Sequence, residues 1–140
     1  MGERRLTSFK FLPHTADIQV ELTARDAPGL YQAGADAVRE LLVADSPVVP
    51  GESRTIALAG PDEATRLMSF LRELVYLYDV ERFIPVSVTL DAGVGTARLA
   101  GERLDPVRHR AERELKGVTH HGYTLERSPD GCRATVIFDV

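Results

Sequence analysis

Apolar and polar residues alternate through Ile18-Gln19-Val20-Glu21-Leu22, which predicts a strand with one face on a core and the other in water. Ahead of it, Phe9 to Leu12 reads as a short extended piece stopped by Pro13. The period then changes. Asp26 offers a helix N-cap and Pro28 is tolerated in a first turn; Leu30, Tyr31, Val38, Leu41 and Leu42 follow at helical spacing, with the small Gly34 and Ala37 between them. This helix is predicted to stop before the Pro47 to Gly51 loop, and Arg54 to Ala59 alternates again as a strand. Gly60-Pro61-Asp62-Glu63 opens a second helix, with proline expected at its first position and acids facing the positive end of the dipole. From there Leu67, Phe70, Leu71, Leu74, Val75 and Tyr78 make a continuous apolar stripe.

Beyond Ile84-Pro85 the pattern is one of strands. Val86, Val88 and Leu90 lead through a Gly93/Gly95 turn to Thr96–Ala100, a hairpin. Asp105 to Glu114 is polar and carries no period. Leu115 to Arg127 and Cys132 to Val140 flank a Ser128-Pro129-Asp130-Gly131 turn and read as a closing hairpin. There is no internal repeat or long linker, so residues 1–140 read as one domain. Two main helices packed on a largely antiparallel sheet make a compact α+β fold.

Composition narrows the chemistry. Hydrophobic content of 44% and charged content of 27% are those of a folded globular chain of this length, so no staple is required. The single cysteine, Cys132, excludes an internal disulfide. The opening MGERRLTSFKF lacks an apolar signal core, and no stretch approaches the roughly 20 apolar residues of a membrane span, so a soluble cytoplasmic protein is expected. A formal net charge of -4 argues against a protein that grips RNA by its phosphates. Among 17 basic residues only Lys10 and Lys116 are lysines, which makes either of them more noticeable.

Several catalytic devices are absent. There is no GxxxxGK[ST] phosphate loop, no GxSxG elbow and no HExxH pair, and Cys132 follows a tight turn with nothing to lower its pKa. Three segments remain. His14-Thr15-Ala16-Asp17 stands at the mouth of the first alternating strand, where it reads either as an Asx-type turn or as a functional loop. In Val136-Ile137-Phe138-Asp139-Val140, a persisting strand would turn Val136 and Phe138 to the core and Ile137 and Asp139 away from it. The Asp139 side chain would then lie close to the terminal carboxylate, and adjacent carboxylates raise a pKa or recruit a cation. Such oxygen clusters suit hard divalent ions, which take ligands at about 2.0–2.6 Å. A solvated acidic tail is the plainer reading of that segment alone. In Glu114-Leu115-Lys116-Gly117-Val118-Thr119-His120-His121, neighbouring histidines on a strand point to opposite faces, so at most one could join a given metal site. Lys116 could meet phosphate or the acidic cluster.

Taken in order, His14-Thr15-Ala16-Asp17, the FLRELVYLYD run at 70–79, GERLD at 101–105, ELKGVTHHGYTL at 114–125 and VIFDV at 136–140 resemble the archease family, from about Phe11 to Val140. The resemblance implies a non-enzymatic accessory protein. Archeases promote guanylylation and multiple turnover of the GTP-dependent RtcB-type RNA ligase in tRNA splicing and RNA repair, and have also been described as chaperone-like modulators of tRNA modification. It further implies a divalent metal (Ca²⁺, Mg²⁺ or Mn²⁺) on Asp17, Asp139 and Val140, the last through its main-chain or terminal oxygens. His14 and Lys116 match positions that support the site or face the partner. RNA would be met mainly through the ligase, and no membrane is involved. The chain departs from the family where Arg72–Leu77 replaces a frequent NELLYL and Leu115–His121 a frequent IKAVTYH. Cys132 stands where an aromatic is common. Two other classes fit the residues less well: an RNA-binding chaperone, disfavoured by the acidic balance, and a small metal-dependent phosphoesterase, for which His14 is the one evident base.

Overall fold

Residues 7–12, 17–91 and 93–140 are described by a computed structural model, and every structural statement below concerns them. Their order is β1 (Ser8–Leu12), β2 (Ile18–Ala24), α1 (Ala27–Val43), β3 (Glu52–Ala57), α2 (Glu63–Glu81), β4 (Phe83–Asp91), β5 (Thr96–Arg103), β6 (Gly117–Ser128) and β7 (Gly131–Asp139). The α+β class holds, but the strands divide into two antiparallel sheets, β1-β2-β7-β6 and β3-β5-β4, where the sequence pattern suggests a single one. None of the helices is long and apolar enough to cross a membrane.

Asp26 caps α1 as expected, its side chain accepting from the Gly29 N–H at 2.9 Å. The cap of α2 is Asp62, which accepts from the Thr65 backbone at 2.8 Å, and those Thr65 hydrogen bonds hold its carboxyl below the usual range. Pro61 therefore precedes the cap and is not the first helical residue. An aspartate that can bond the third amide outcompetes a proline whose only contribution is a fixed φ.

The helix α1 is buried on most of its circumference because it touches both sheets and α2. Val20, Leu22, Val136 and Phe138 approach the core from the first sheet, and Phe83, Ile84, Ala97 and Leu99 from the second. Phe70, Leu71 and Leu74 of α2 complete it, with Phe70 meeting the Tyr31 ring edge-on at 4.9 Å. Each such side chain contributes about 1.5–3 kcal/mol on burial.

Two polar seams join these layers. β4 loses register between Pro85 and Ser87. There α1 takes over from the ladder: Arg39 donates to Pro85 O and Val86 O, Gln32 donates to Val86 O, and the Val88 N–H donates to Gln32 Oε1. Buried Asp36 holds both donors, accepting from Gln32 Nε2 at 2.9 Å and Arg39 Nη2 at 3.0 Å.

The second seam is the polar segment 104–116, which has no period because it is no regular element. Together with the turn that follows α1 it closes the C-terminal end of that helix, whose last four carbonyls have no partner within the helix. Ala44 N–H donates to Glu40 O, Arg113 to Leu41 O, Glu112 N–H to Leu42 O and Ser46 N–H to Val43 O, all at 2.8–3.1 Å. The strap is itself pinned at His109, whose side chain is fully buried: Nδ1 accepts from Asp105 N–H at 2.8 Å and Nε2 meets Glu102 Oε2 at 3.0 Å.

Candidate functional site

The antiparallel register decides which distant residues meet. Ile18 pairs with Phe138 at the end of the β2–β7 ladder, so Asp17 and Asp139 are the next residues outward on two neighbouring strands. Both are only partly exposed. On the other side of β7, Asp139 pairs with Gly117, and its carbonyl accepts from Lys116 N–H at 2.8 Å. Position 117 carries no side chain, and a Cβ there would stand 3.5 Å from Asp139 Oδ2. The Asp139 carboxylate thus lies against a position that carries no side chain.

Val136 and Phe138 face the core as the alternation requires, while Asp139 lies on the opposite side. Ile137, on the Asp139 side, is nevertheless buried. Val140 follows with 40% of its surface exposed. His14 lies outside the described residues.

The candidate donors that the register puts at this strand end are oxygens: the carboxylates of Asp17 and Asp139 and the main chain of Val140, the next residue. That chemistry fits a hard divalent cation and not a soft one. Among the described residues no three His, Cys, Asp or Glu side chains form a metal-sized group. A cation taking six or more oxygens would have to complete its shell from main chain, water or a partner.

β6 loses register between Thr119 and Thr124, so His120 and His121 sit in an irregular stretch and both are exposed. The His121 N–H turns back to Thr119 Oγ1 at 3.1 Å instead of feeding the ladder.

Alongside Lys116 runs a groove of about 500 Å³ between α2 and the start of β6, lined by Arg72, Val75, Tyr76, Asp79, Glu114, Leu115, Lys116, Gly117 and Val118. Arg72 closes its floor, donating Nε and Nη2 to Val118 O at 3.3 and 3.2 Å. Glu114 is occupied by Arg82, which donates to both of its oxygens. In the sequence, 70–79 reads as a motif and Arg72–Leu77 as a departure from the family pattern, but neither assigns Arg72, Tyr76 or Asp79 a role in a site. The available signal is Tyr76, an aromatic standing on the polar face of an otherwise well-segregated helix.

The model of the archease protein family matches residues 9–140. The chain is 32% identical over 124 residues to the protein archease of Thermococcus kodakarensis, covering 84% of this chain and 87% of that one. It is 29% identical over 140 residues to the protein archease of Methanosarcina acetivorans, covering 94% and 95%. In fold it is similar to the solution structure of a Methanobacterium thermoautotrophicum protein, with TM-score 0.75, 25% identity and coverage of 94% and 98%. It is also similar in fold to the crystal structure of an archease, possible chaperone, from Thermotoga maritima, with TM-score 0.69, 17% identity and full coverage of both chains.

Proposed function

The chain belongs to the archease family, and from that premise we propose that it is a non-enzymatic activator of a GTP-dependent, RtcB-type RNA ligase, acting in tRNA splicing or RNA repair through a divalent cation held by Asp17, Asp139 and Val140. The observation that carries this reading is the register that sets Asp17 beside Asp139 at one end of the central strands, with Lys116 tied to the Asp139 main chain.

The parts have separable roles. Asp17 and Asp139 would hold the ion by their carboxylates, and Val140 by main-chain oxygen. The bound cation would supply positive charge to phosphate oxygens in a transfer that depends on positioning and neutralisation. Gly117 would leave the approach open, and Lys116, whose main chain is bonded to Asp139, would present a second cation at the same strand end. An incomplete ligand set is an advantage here, since a partner's or nucleotide's oxygens can enter a shell that the protein alone does not close. His14 would support the site from the loop before β2.

Mixing the protein with ligase, GTP and metal, and following covalent guanylate on the ligase, tests the proposal. Asp17→Ala is expected to bind the ligase normally, to melt near the wild-type temperature, and to stimulate guanylylation about tenfold less, the scale of losing a close electrostatic contact. Full stimulation by that variant removes the metal from the account. The metal itself is read separately by calorimetric titration of Ca²⁺, Mg²⁺ and Mn²⁺ into wild type and Asp139→Asn, where the amide should abolish the heat of binding.

A further inference from the structure

β6 lies at the edge of its sheet, with β7 as its one neighbouring strand. The β2–β7 ladder ends at Ile18–Phe138, so one residue further out Asp139 pairs, among the described residues, only with Gly117 of β6. The Lys116 N–H adds a bond to the Asp139 carbonyl at 2.8 Å. The strand end that carries the candidate carboxylate is therefore placed by the start of β6. That start is short. Register is lost after Thr119, which leaves Gly117, Val118 and Thr119 as a three-residue ladder cut off from the pairing that resumes at Thr124.

Arg72 of α2 takes the place of a strand on the other side. An edge strand leaves a row of backbone groups with no strand beside them. Arg72 donates Nε and Nη2 to one of these, the carbonyl of Val118, at 3.3 and 3.2 Å. Val118 is the middle residue of the three, and its side chain is buried in the core. The guanidinium makes no ion pair among the described residues, so its fork is committed to this carbonyl. Leu71 and Leu74, fully in the core on either side of Arg72, fix the helix that carries it.

We propose that Arg72 is a positioning residue for the cation site, clamping the β6 end that sets the place of Asp139. This rests on the reading of a cation held by Asp17, Asp139 and Val140, and adds to it how one carboxylate is kept in place. Arg72 acts through Val118, then through Gly117 and Lys116, on the main chain of Asp139, whose Oδ2 lies beside position 117. Groups that orient a metal's ligands without touching the ion contribute about tenfold or more to affinity. Charge alone predicts the reverse: a guanidinium near the site repels a cation, and its removal would tighten binding if Arg72 acted only through its field.

The test is calorimetric titration of Ca²⁺, Mg²⁺ and Mn²⁺ into the full chain carrying Arg72→Met, which keeps the aliphatic stem and loses the donors. Affinity for the ion that wild type binds best is expected to fall about tenfold. Arg72→Lys, which keeps the charge and one donor group, is expected to restore part of the loss. Arg113→Met is the control, since Arg113 is also exposed and also donates to a carbonyl, Leu41 O at 2.9 Å, in the strap. The two methionine variants should show similar small drops in melting temperature, while Arg113→Met keeps wild-type metal affinity. Without any metal, hydrogen exchange at the Lys116 amide should quicken in Arg72→Met and stay at the wild-type rate in Arg113→Met. Wild-type or tighter metal binding by Arg72→Met overturns the positioning role and leaves the cation reading intact, and so does an unchanged Lys116 exchange rate. Equal weakening by Arg113→Met also overturns the role, because a general loss of stability would then explain both. Absence of any metal binding by wild type overturns the cation reading and this role together.

Discussion

Gly101→Ala is expected to destabilise the fold by about 3 kcal/mol or more, lowering the melting temperature by about 10 °C for a chain of this size. Gly101 in β5 lies between Glu52 of β3 and Pro85 of β4. A Cβ at that position would stand 2.0 Å from the Ile84 carbonyl oxygen and 3.0 Å from Phe83 Cζ. The obstacle is backbone, so no rotamer relieves it. β4 cannot retreat either, because Arg39 and Gln32 fasten Pro85 and Val86 to α1 just beyond the clash. Gly51→Ala is the matched control: nothing lies within 4 Å of its Cβ position, and a change within about 0.5 kcal/mol is expected. Equal melting temperatures for the two variants would show that the close approach is not what demands glycine at 101.

The second large effect belongs to Glu102, one residue on. Its carboxylate accepts from both Arg108 nitrogens, from Val49 N–H at 2.7 Å and from His109 Nε2 at 3.0 Å. Arg108 above all, with the Val49 amide and His109, holds its pKa down at about 2, against 4.5 for a free glutamate. A carboxyl depressed on folding stabilises the native state fully above its unfolded pKa. That contribution disappears as pH falls from about 4.5 towards 2. Glu102→Ala leaves the fully buried His109 ring and an amide without their acceptor, and should cost about 2–3 kcal/mol at neutral pH. Its stability should also fall less steeply than wild type between pH 5 and 2. Thermal melts across that range decide the matter: parallel curves for the two proteins would mean that Glu102 does not carry the acid limb.

Periodicity suffices for the elements whose order comes from apolar burial. The stripe from Leu67 to Tyr78 and the alternations at Ile18–Leu22 and Val136–Phe138 are readable because their neighbours in space are a continuous core. What periodicity does not supply is pairing. β2 and β7 meet across most of the chain length, and nothing in either strand says that β3, β4 and β5 will form a separate sheet. The strap is unreadable for a different reason: its order comes from side chains and amides capping α1, and a buried histidine among Asp105 to Glu114 has no periodic signature. The break in register between Thr119 and Thr124 is likewise not marked by any change of period in the sequence. For the candidate site, the types of residue are legible at Asp17, Asp139 and Lys116, while their convergence needs the register. Gly101, Glu102 and Asp105, conspicuous together as a motif, serve the strap and the β4 crossing.

The strand at the middle of the four-stranded sheet, β7, is also the one made last of the seven. While the ribosome still holds residues 131–139, the β1–β2 hairpin can pack on α1 and β6 on α2, but the strand that joins them into one sheet is missing. Asp17 has by then waited through more than a hundred residues of synthesis for the carboxylate opposite it. A nascent or prematurely halted polypeptide therefore lacks the strand end at which Asp17 and Asp139 become neighbours, and that end arrives in one step with the closing of the sheet.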